Sequence, residues 1–217
     1  MSILIKSAKI IDASSKFNGK TKDIFIKQGI IQEIDDKIVK KSAKEINLDN
    51  LHISQGWLDS SVCFGEPGLE ERETIENGSL TACLSGFTDI ILNSNTLPVI
   101  DSKADVIYVK SKNRNKALKI HPLGALTVKS EGSEMAELHE MFDSGAVGFY
   151  DYKTSVKNPN LLKTALQYVQ HFDGLIMTFP FEKSICQNGQ MNEGEISTLY
   201  GLEGIPSLSE EITLERD

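Results

Sequence analysis

The sequence has few cysteines, no long apolar run and no basic cluster. Its three cysteines, Cys63, Cys83 and Cys186, are far apart and form no CxxC pair, which favours reduced thiols in a cytoplasmic protein. No stretch approaches the roughly 18 apolar residues that a membrane-spanning helix needs. The 23 basic and 31 acidic residues give a net charge of −8, without a basic stripe that could follow phosphates. These absences argue against a membrane protein and against a nucleic-acid partner.

The composition is ordinary for a globular protein, with 40% hydrophobic and 25% charged residues in 217. Residues 3–12 predict a strand and lack the continuous apolar region and cleavage site of a signal peptide. Further strands are predicted at residues 23–27, 28–34 and 44–48, with Gly29 in the turn between the second and third strands. Residues 1–52 are therefore predicted to form a small β-meander.

From Leu51 onwards, short apolar strands alternate with helical stretches, which is typical of βα units around a parallel sheet. The predicted strands cover residues 53–62, 89–92, 118–123, 146–150 and 174–179. The predicted helices cover residues 70–85, 102–114, 133–143, 159–171 and 208–215. Gly86 stands where glycine commonly ends a helix. Residues 53–217 are thus predicted to form one α/β domain with five parallel strands.

Residues 57–68 carry a motif at the end of the first of these strands. Asp59, Glu66, Pro67 and Gly68 match the pattern D-x-H-x-H-x-R-E-P-G. The two histidine places of the pattern hold Ser61 and Cys63, and its arginine place holds Gly65. Residues two apart on a strand point to the same face, so two histidines there would reach one metal ion. A serine hydroxyl and one thiolate do not replace two imidazoles.

Together with residues 86–91 and 95–101, this motif resembles the dihydroorotase branch of the amidohydrolase superfamily, the cyclic amidases. The resemblance implies the N-terminal part of a (β/α)8 TIM barrel, with about five βα units, preceded by a small β-sandwich subdomain. An independent β-domain is the alternative for residues 1–52. Five strands would leave an edge and an apolar interior exposed, so we expect a piece of a longer protein. The alternative is a natural short protein with an open sheet.

The resemblance also implies a zinc site, in which the metal activates water to hydrolyse a cyclic amide. Its ligand positions hold Ser61, Cys63, Asp151 and Phe179, so only Asp151 keeps a family acid, and no metal cofactor is expected. Asp151 is either a vestige of this site or a solvated turn residue. Asn95 matches a substrate-binding asparagine, although residues 93–95 are also favourable turn chemistry. The four histidines match no ligand position, and a relocated site with Cys63 and His121 is a remote alternative.

Three functions follow from the resemblance. The first is a catalytically inactive dihydroorotase-like protein of pyrimidine biosynthesis that acts as a structural partner of the aspartate carbamoyltransferase catalytic chain, as inactive homologues in some bacteria do. The second is an active zinc-dependent dihydroorotase, or a related cyclic amide hydrolase, which converts dihydroorotate and water to N-carbamoyl-aspartate. The third is a small-molecule binding protein that uses the emptied pocket. A homo-oligomer is a further expectation.

Overall fold

The computed structural model describes residues 1–41, 43–113, 117–186 and 188–217, and it contains two compact units, Met1–Gly56 and Trp57–Asp217. The strands of the first unit are β1 (Ser2–Ile11), β2 (Thr21–Lys27), β3 (Ile30–Asp35), β4 (Lys44–Asn47) and β5 (His52–Ser54). They form one sheet in the order β3-β2-β1-β4, and β5 also pairs with β1. The predicted antiparallel hairpin of β2 and β3 is confirmed, with Gln28 and Gly29 at positive φ in its turn.

The fourth strand does not continue the predicted meander, because β4 pairs with β1 in parallel. The connection after β3 must therefore cross the sheet to reach the other side of β1. Ile38 in this connection is buried, and its N–H donates to the carboxylate of buried Asp23 at 2.9 Å. The predicted strand at 53–62 is also two strands, because β5 pairs with β1 whereas the next strand belongs to the second sheet.

The second unit contains a parallel sheet whose five strands lie in chain order. Its strands are β6 (Trp57–Val62), β7 (Phe87–Leu92), β8 (Lys119–Gly124), β9 (Gly148–Tyr150) and β10 (Ile176–Met177). The connecting helices are α1 (Ile75–Leu84), α2 (Lys103–Lys112), α3 (Leu138–Asp143) and α4 (Pro159–Val169). The chain continues through α5 (Lys183–Cys186), β11 (Met191–Asn192), α6 (Glu195–Tyr200), β12 (Gly204–Ile205) and α7 (Leu208–Arg216). The five predicted parallel strands are confirmed.

Two helices begin later than predicted. The helix α1 starts at Ile75, because the Thr74 hydroxyl caps it by accepting from the N–H of Asn77 at 3.2 Å. The helix α3 starts at Leu138, because Ala136 donates its N–H to the carbonyl of Leu126 and so extends the preceding loop. The predicted end of the second helix at residue 114 lies outside the described residues.

The helices cover one face of the parallel sheet. The shared core contains Ile90, Leu92, Ile120 and Phe149 on the strands and Val106, Val109, Leu162 and Ala165 on the helices. Leu58 and Leu175, by contrast, are exposed. Among the described residues β6 pairs only with β7 and β10 only with β9, so the sheet is an open arc and not a closed barrel. No helix in the described ranges is long and apolar enough to cross a membrane.

Candidate functional site

The candidate site lies where the parallel strands β6 to β10 reach their carboxyl ends, because these ends meet at one edge of a parallel sheet. Ser61 lies near the end of β6, and Cys63 follows that strand directly. Asp151 follows β9 directly, and Phe179 follows β10 by two residues. The four positions that the resemblance assigns to metal ligands are thus all at the expected edge of the sheet.

Asn93, at the end of β7, contacts both positions where the motif has histidine. Its side-chain nitrogen donates to the hydroxyl oxygen of Ser61 at 3.1 Å and lies 3.4 Å from the sulfur of Cys63. The same nitrogen lies 3.2 Å from the carbonyl oxygen of Val62, and the residue is only 1% exposed. Two amide hydrogens are therefore shared among three acceptors. This buried amide cross-links the ends of β6 and β7.

The Cys63 side chain has a second partner in Tyr152. The Cys63 side chain beside the Tyr152 hydroxyl raises the pKa of that tyrosine above its ordinary value of 10, and burial adds to the effect. The Tyr152 ring packs edge-on against Tyr150 at 5.9 Å, and the Lys153 ammonium lies 5.3 Å from its centroid. The Cys63 thiol thus accepts from an amide and has a phenol beside it.

Asp151 turns away from this cluster and is 2% exposed, so it is not the solvated turn residue that one interpretation proposed. Its Oδ1 accepts from the backbone N–H groups of Leu126 at 2.9 Å and Thr127 at 3.0 Å. Its Oδ2 accepts from the Thr127 hydroxyl at 2.5 Å. Burial raises the pKa of Asp151 above 3.8, although these hydrogen bonds oppose the shift. The carboxylate therefore fastens the loop after β8 to the end of β9.

The remaining ligand position is occupied by an aromatic ring. The Phe179 ring packs against the Phe181 ring at 5.6 Å, and its carbonyl oxygen accepts from the Ser155 hydroxyl at 2.7 Å. A phenyl ring has no lone pair to offer a metal ion. The residue contributes packing and a backbone acceptor to the loops after β9 and β10.

Asn95 carries a buried side-chain oxygen that has no hydrogen-bond donor among the described residues. An unpaired buried acceptor costs about 1–3 kcal/mol, so a donor from a ligand would be favourable there. The assignment of Asn95 to substrate binding is compatible with this free acceptor and stays a prediction.

Gly65, which stands at the arginine place of the motif, has no space for a side chain. A Cβ atom at this position would lie 1.7 Å from the carbonyl oxygen of Leu69, far inside van der Waals contact. The Leu69 N–H also donates to the Gly65 carbonyl at 2.9 Å and closes a tight turn. This backbone therefore excludes the arginine that the family motif uses to grip a carboxylate.

Glu66, which matches the motif, has a structural role. Its Oε2 accepts from the N–H of Ile75 at 2.9 Å, at the start of α1. Its Oε1 accepts from the Tyr108 hydroxyl at 2.9 Å and lies 3.2 Å from the Lys112 ammonium. The buried carboxylate thus joins the loop after β6 to both α1 and α2.

The residues at this edge do not fit a zinc ion. Zinc requires about four ligands, or three and a water, from thiolate, imidazole or carboxylate groups. Ser61 and Phe179 are not suitable donors, Cys63 is hydrogen-bonded, and Asp151 is engaged elsewhere. In the part of the chain that the structure describes, no three His, Cys, Asp or Glu side chains are arranged to hold a metal.

The remote alternative of a site with Cys63 and His121 finds no support in the contacts of His121. Its Nε2 lies 2.8 Å from Oδ1 of Asp89 on the neighbouring strand β7. The pair borders a hollow of 420 Å³ together with Leu58, Ile91 and Val147. Hydrogen bonds from His121 and then Thr88 lower the pKa of Asp89 below 3.8.

Two contacts at the candidate site were not predicted from the sequence. The cross-link by Asn93 and the approach of Tyr152 to Cys63 depend on side-chain direction at strand ends, and no motif marks them. The available signal was the spacing of Ser61 and Cys63, which are two residues apart at the end of one strand and place two acceptors close together.

Comparison with known proteins places this geometry in a family. A family model described as dihydro-orotase-like matches residues 52–217. The chain is 36% identical to a dihydroorotase of Acetivibrio thermocellus, over 99% of this chain and 50% of that protein. It is 35% identical to a dihydroorotase of Pelotomaculum thermopropionicum, over 100% of this chain and 51% of that protein. The chain thus spans about half the length of these curated relatives.

The fold is similar to that of amidohydrolase-type barrels. The L-hydantoinase (dihydropyrimidinase) from Arthrobacter aurescens superposes with a TM-score of 0.76 at 18% identity, over 99% of this chain and 49% of that chain. The half coverage agrees with a partial barrel of five parallel strands. The family match covers the parallel sheet and every candidate position, and the chain belongs to the dihydroorotase-like family.

Proposed function

We propose that this chain is a catalytically inactive dihydroorotase-like protein of pyrimidine biosynthesis, which acts as a structural partner of the aspartate carbamoyltransferase catalytic chain. The observation that carries the inactivity is the contact of the Asn93 amide with both Ser61 and Cys63. Where the family motif has two imidazoles for a metal, this chain has a hydrogen-bonded cross-link. Loss of the imidazoles removes both water activation and polarisation of the substrate carbonyl.

The surroundings of the cross-link support the same conclusion. Gly65 leaves no room for the arginine that would pair with the substrate carboxylate, so bidentate recognition is lost. The carboxylate oxygens of Asp151 already accept three hydrogen bonds from the loop after β8 and so are not free to bind a metal ion. Hydrolysis would therefore lack its metal and its substrate anchor together.

The partnership rests on the resemblance to inactive homologues that hold the transferase in a complex. Several large apolar side chains of the second unit are exposed and offer area for protein contacts, among them Leu80, Leu84, Leu199 and Tyr200. A cytoplasmic location accords with three free cysteines, since none forms a disulfide.

The partnership is tested by mixing the purified chain with the aspartate carbamoyltransferase catalytic chain of the same organism. Size-exclusion chromatography with light scattering gives the mass of each eluting species. We expect a species that contains both chains, whereas a mixture with serum albumin elutes as separate proteins. Separate elution of the transferase would contradict the partnership. The mass of the chain measured by itself shows whether it forms a homo-oligomer.

A second candidate is an active zinc-dependent dihydroorotase or related cyclic amide hydrolase. It is favoured by the 36% identity to a curated dihydroorotase over nearly the whole chain. Hydrolysis of dihydroorotate in the presence of zinc, abolished by Asp151→Ala, would support this candidate. The inactive assignment predicts no turnover above buffer, with the Acetivibrio thermocellus dihydroorotase as the positive control.

A further inference from the structure

A cavity of 680 Å³ lies in the second unit, between the loops that follow β8, β9 and β10 and the end of α7. Its volume lies in the range of small-molecule sites, about 300–1,000 Å³. None of the positions 61, 63, 95, 151 and 179 lines it, so it is separate from the degenerate metal site. We propose that this cavity binds a small polyanion whose negative oxygens are clustered, of the phosphate or polycarboxylate class.

The charge of the lining carries the proposal. Four cationic side chains border the cavity, Lys153, Lys157, Lys183 and Arg216, against two carboxylates, Glu131 and Glu182. The Glu182 carboxylate already accepts from the hydroxyl of Ser184 at 2.7 Å and from its N–H at 3.1 Å. A local excess of positive charge is unexpected in a chain whose net charge is −8. Clustered cations attract anions and raise their local concentration.

The cations are available to a ligand. Among the described residues, Lys153, Lys157 and Lys183 form no ion pair with a carboxylate. Arg216 is already paired with Asp217, because its Nε at 2.8 Å and one terminal nitrogen at 2.5 Å both donate to one oxygen of that carboxylate. A guanidinium has five N–H donors, so this contact leaves others for a second anion. Lysine ammonium and arginine guanidinium groups are the usual protein ligands for phosphate and carboxylate oxygens.

Buried and partly buried polar contacts hold the walls of the cavity in place. The Ser155 hydroxyl oxygen lies 2.7 Å from the carbonyl oxygen of Phe179 and 2.6 Å from that of Phe181, which joins the loops after β9 and β10. Asp151 joins the loop after β8 to β9. A Cβ atom at Gly132 would lie 3.3 Å from the Ser155 carbonyl oxygen, so these loops are also in close contact. Preformed walls reduce the ordering cost of binding.

The ligand should carry at least two negative charges. A single charge would compete poorly with water for exposed ammonium groups, whereas a polyanion contacts several cations at once. Pyrophosphate and citrate represent the two sources of clustered anionic oxygens. Sodium chloride at matched ionic strength represents screening alone.

The test is isothermal titration calorimetry of the 217-residue chain with pyrophosphate and, separately, with citrate. We expect saturable binding of at least one probe, with a Kd of about 1 mM or tighter. Preference for pyrophosphate assigns the site to phosphorylated ligands, and preference for citrate assigns it to polycarboxylates. Lys157→Gln/Lys183→Gln should weaken the preferred probe at least about tenfold, because two of four cations are removed.

The matched control is Lys27→Gln/Lys163→Gln, which makes the same change in net charge at exposed lysines outside the cavity. It should retain the affinity of the unsubstituted chain. Equal loss in both double variants, or no binding of either probe, would overturn the proposal. Circular dichroism checks that both variants fold. The titration needs no metal and no transferase, so its outcome is independent of the proposed inactivity and partnership.

Discussion

The side-chain nitrogen of Asn93 lies 3.4 Å from the sulfur of Cys63. This contact joins the ends of two parallel strands at the position where the family motif supplies a pair of metal-binding imidazoles. The same nitrogen reaches the hydroxyl of Ser61, so both substituted positions share one donor. A hydrogen-bonded amide thus links the strands that a shared metal would otherwise link.

Replacing Asn93 with alanine should destabilise the second unit. Asn93→Ala removes the buried amide that donates to Ser61 and Cys63, at a cost of about 1–3 kcal/mol. Urea unfolding followed by the fluorescence of Trp57, the single tryptophan, measures this change in β6 itself. The control is Asn77→Ala, an exposed residue whose side-chain amide donates to Glu73, and it should change the free energy of unfolding little. Equal stability of the two variants would contradict the cross-link.

Even a methyl group should be poorly tolerated at Gly65. In Gly65→Ala the added Cβ would lie 1.7 Å from the Leu69 carbonyl oxygen, so the turn must shift, at a cost of about 1–3 kcal/mol. Gly194→Ala is the matched control, because nothing lies within 4 Å of the added atom. Thermal unfolding of both variants gives the comparison. A Gly65→Ala variant as stable as the control would show that the arginine of the motif is not excluded by space.

The carboxylate of Glu66 should make the second unit sensitive to acid. Burial raises the pKa of this group, but the N–H of Ile75, the Tyr108 hydroxyl and then Lys112 outweigh burial. The pKa therefore lies below its ordinary value of 4.5. A lowered pKa in the folded state stabilises the fold above the unfolded value, and this stability is lost as the pH falls through the lowered pKa.

Glu66→Gln should therefore lower the free energy of unfolding at pH 7 by about 1–3 kcal/mol. The difference between variant and unsubstituted chain should shrink below pH 4.5, because the native carboxyl is then increasingly protonated. Urea titrations between pH 3 and pH 7, about the range in which carboxyl groups titrate, measure this difference. Glu71→Gln, at an exposed position, is the control. A pH-independent difference for Glu66→Gln would contradict the assigned role.

Asp151 should prove to be a structural residue. Asp151→Asn weakens the bonds to Thr127 and Leu126 and should cost about 1–3 kcal/mol, since the site is buried. The zinc content measured after incubation with zinc and dialysis should equal that of the unsubstituted chain, because this carboxylate is not free to bind metal. Asp143→Asn, at an exposed position on α3, is the control for stability. A fall in bound zinc in the Asp151 variant would contradict a purely structural role.

The fold could be predicted from the sequence where the pattern is local. Alternation of short apolar strands with helices gave five parallel strands, and Gly86 adopts the positive φ expected after α1. The start of α1 was misplaced, because the Thr74 cap acts there together with the Glu66 carboxylate, which accepts from the N–H of Ile75 across the intervening loop. The partition of residues 52–62 between two sheets likewise depends on which strands lie beside them.

For the candidate site, the sequence predicted only which metal ligands of the family motif are missing. Residue types alone show that Ser61 and Phe179 cannot bind zinc. The use of the remaining groups depends on side-chain direction, which sequence spacing leaves open. Asp151 turns into the loop after β8, and the four cations around the 680 Å³ cavity come from three segments that are far apart in the chain.

The most direct measurement is the zinc content of the purified protein after incubation with zinc and exhaustive dialysis, by inductively coupled plasma mass spectrometry. We expect far less than one zinc ion per chain, with the same value in Cys63→Ser. One retained zinc ion per chain that is lost in Cys63→Ser would contradict the conclusion that this scaffold no longer supplies a metal site.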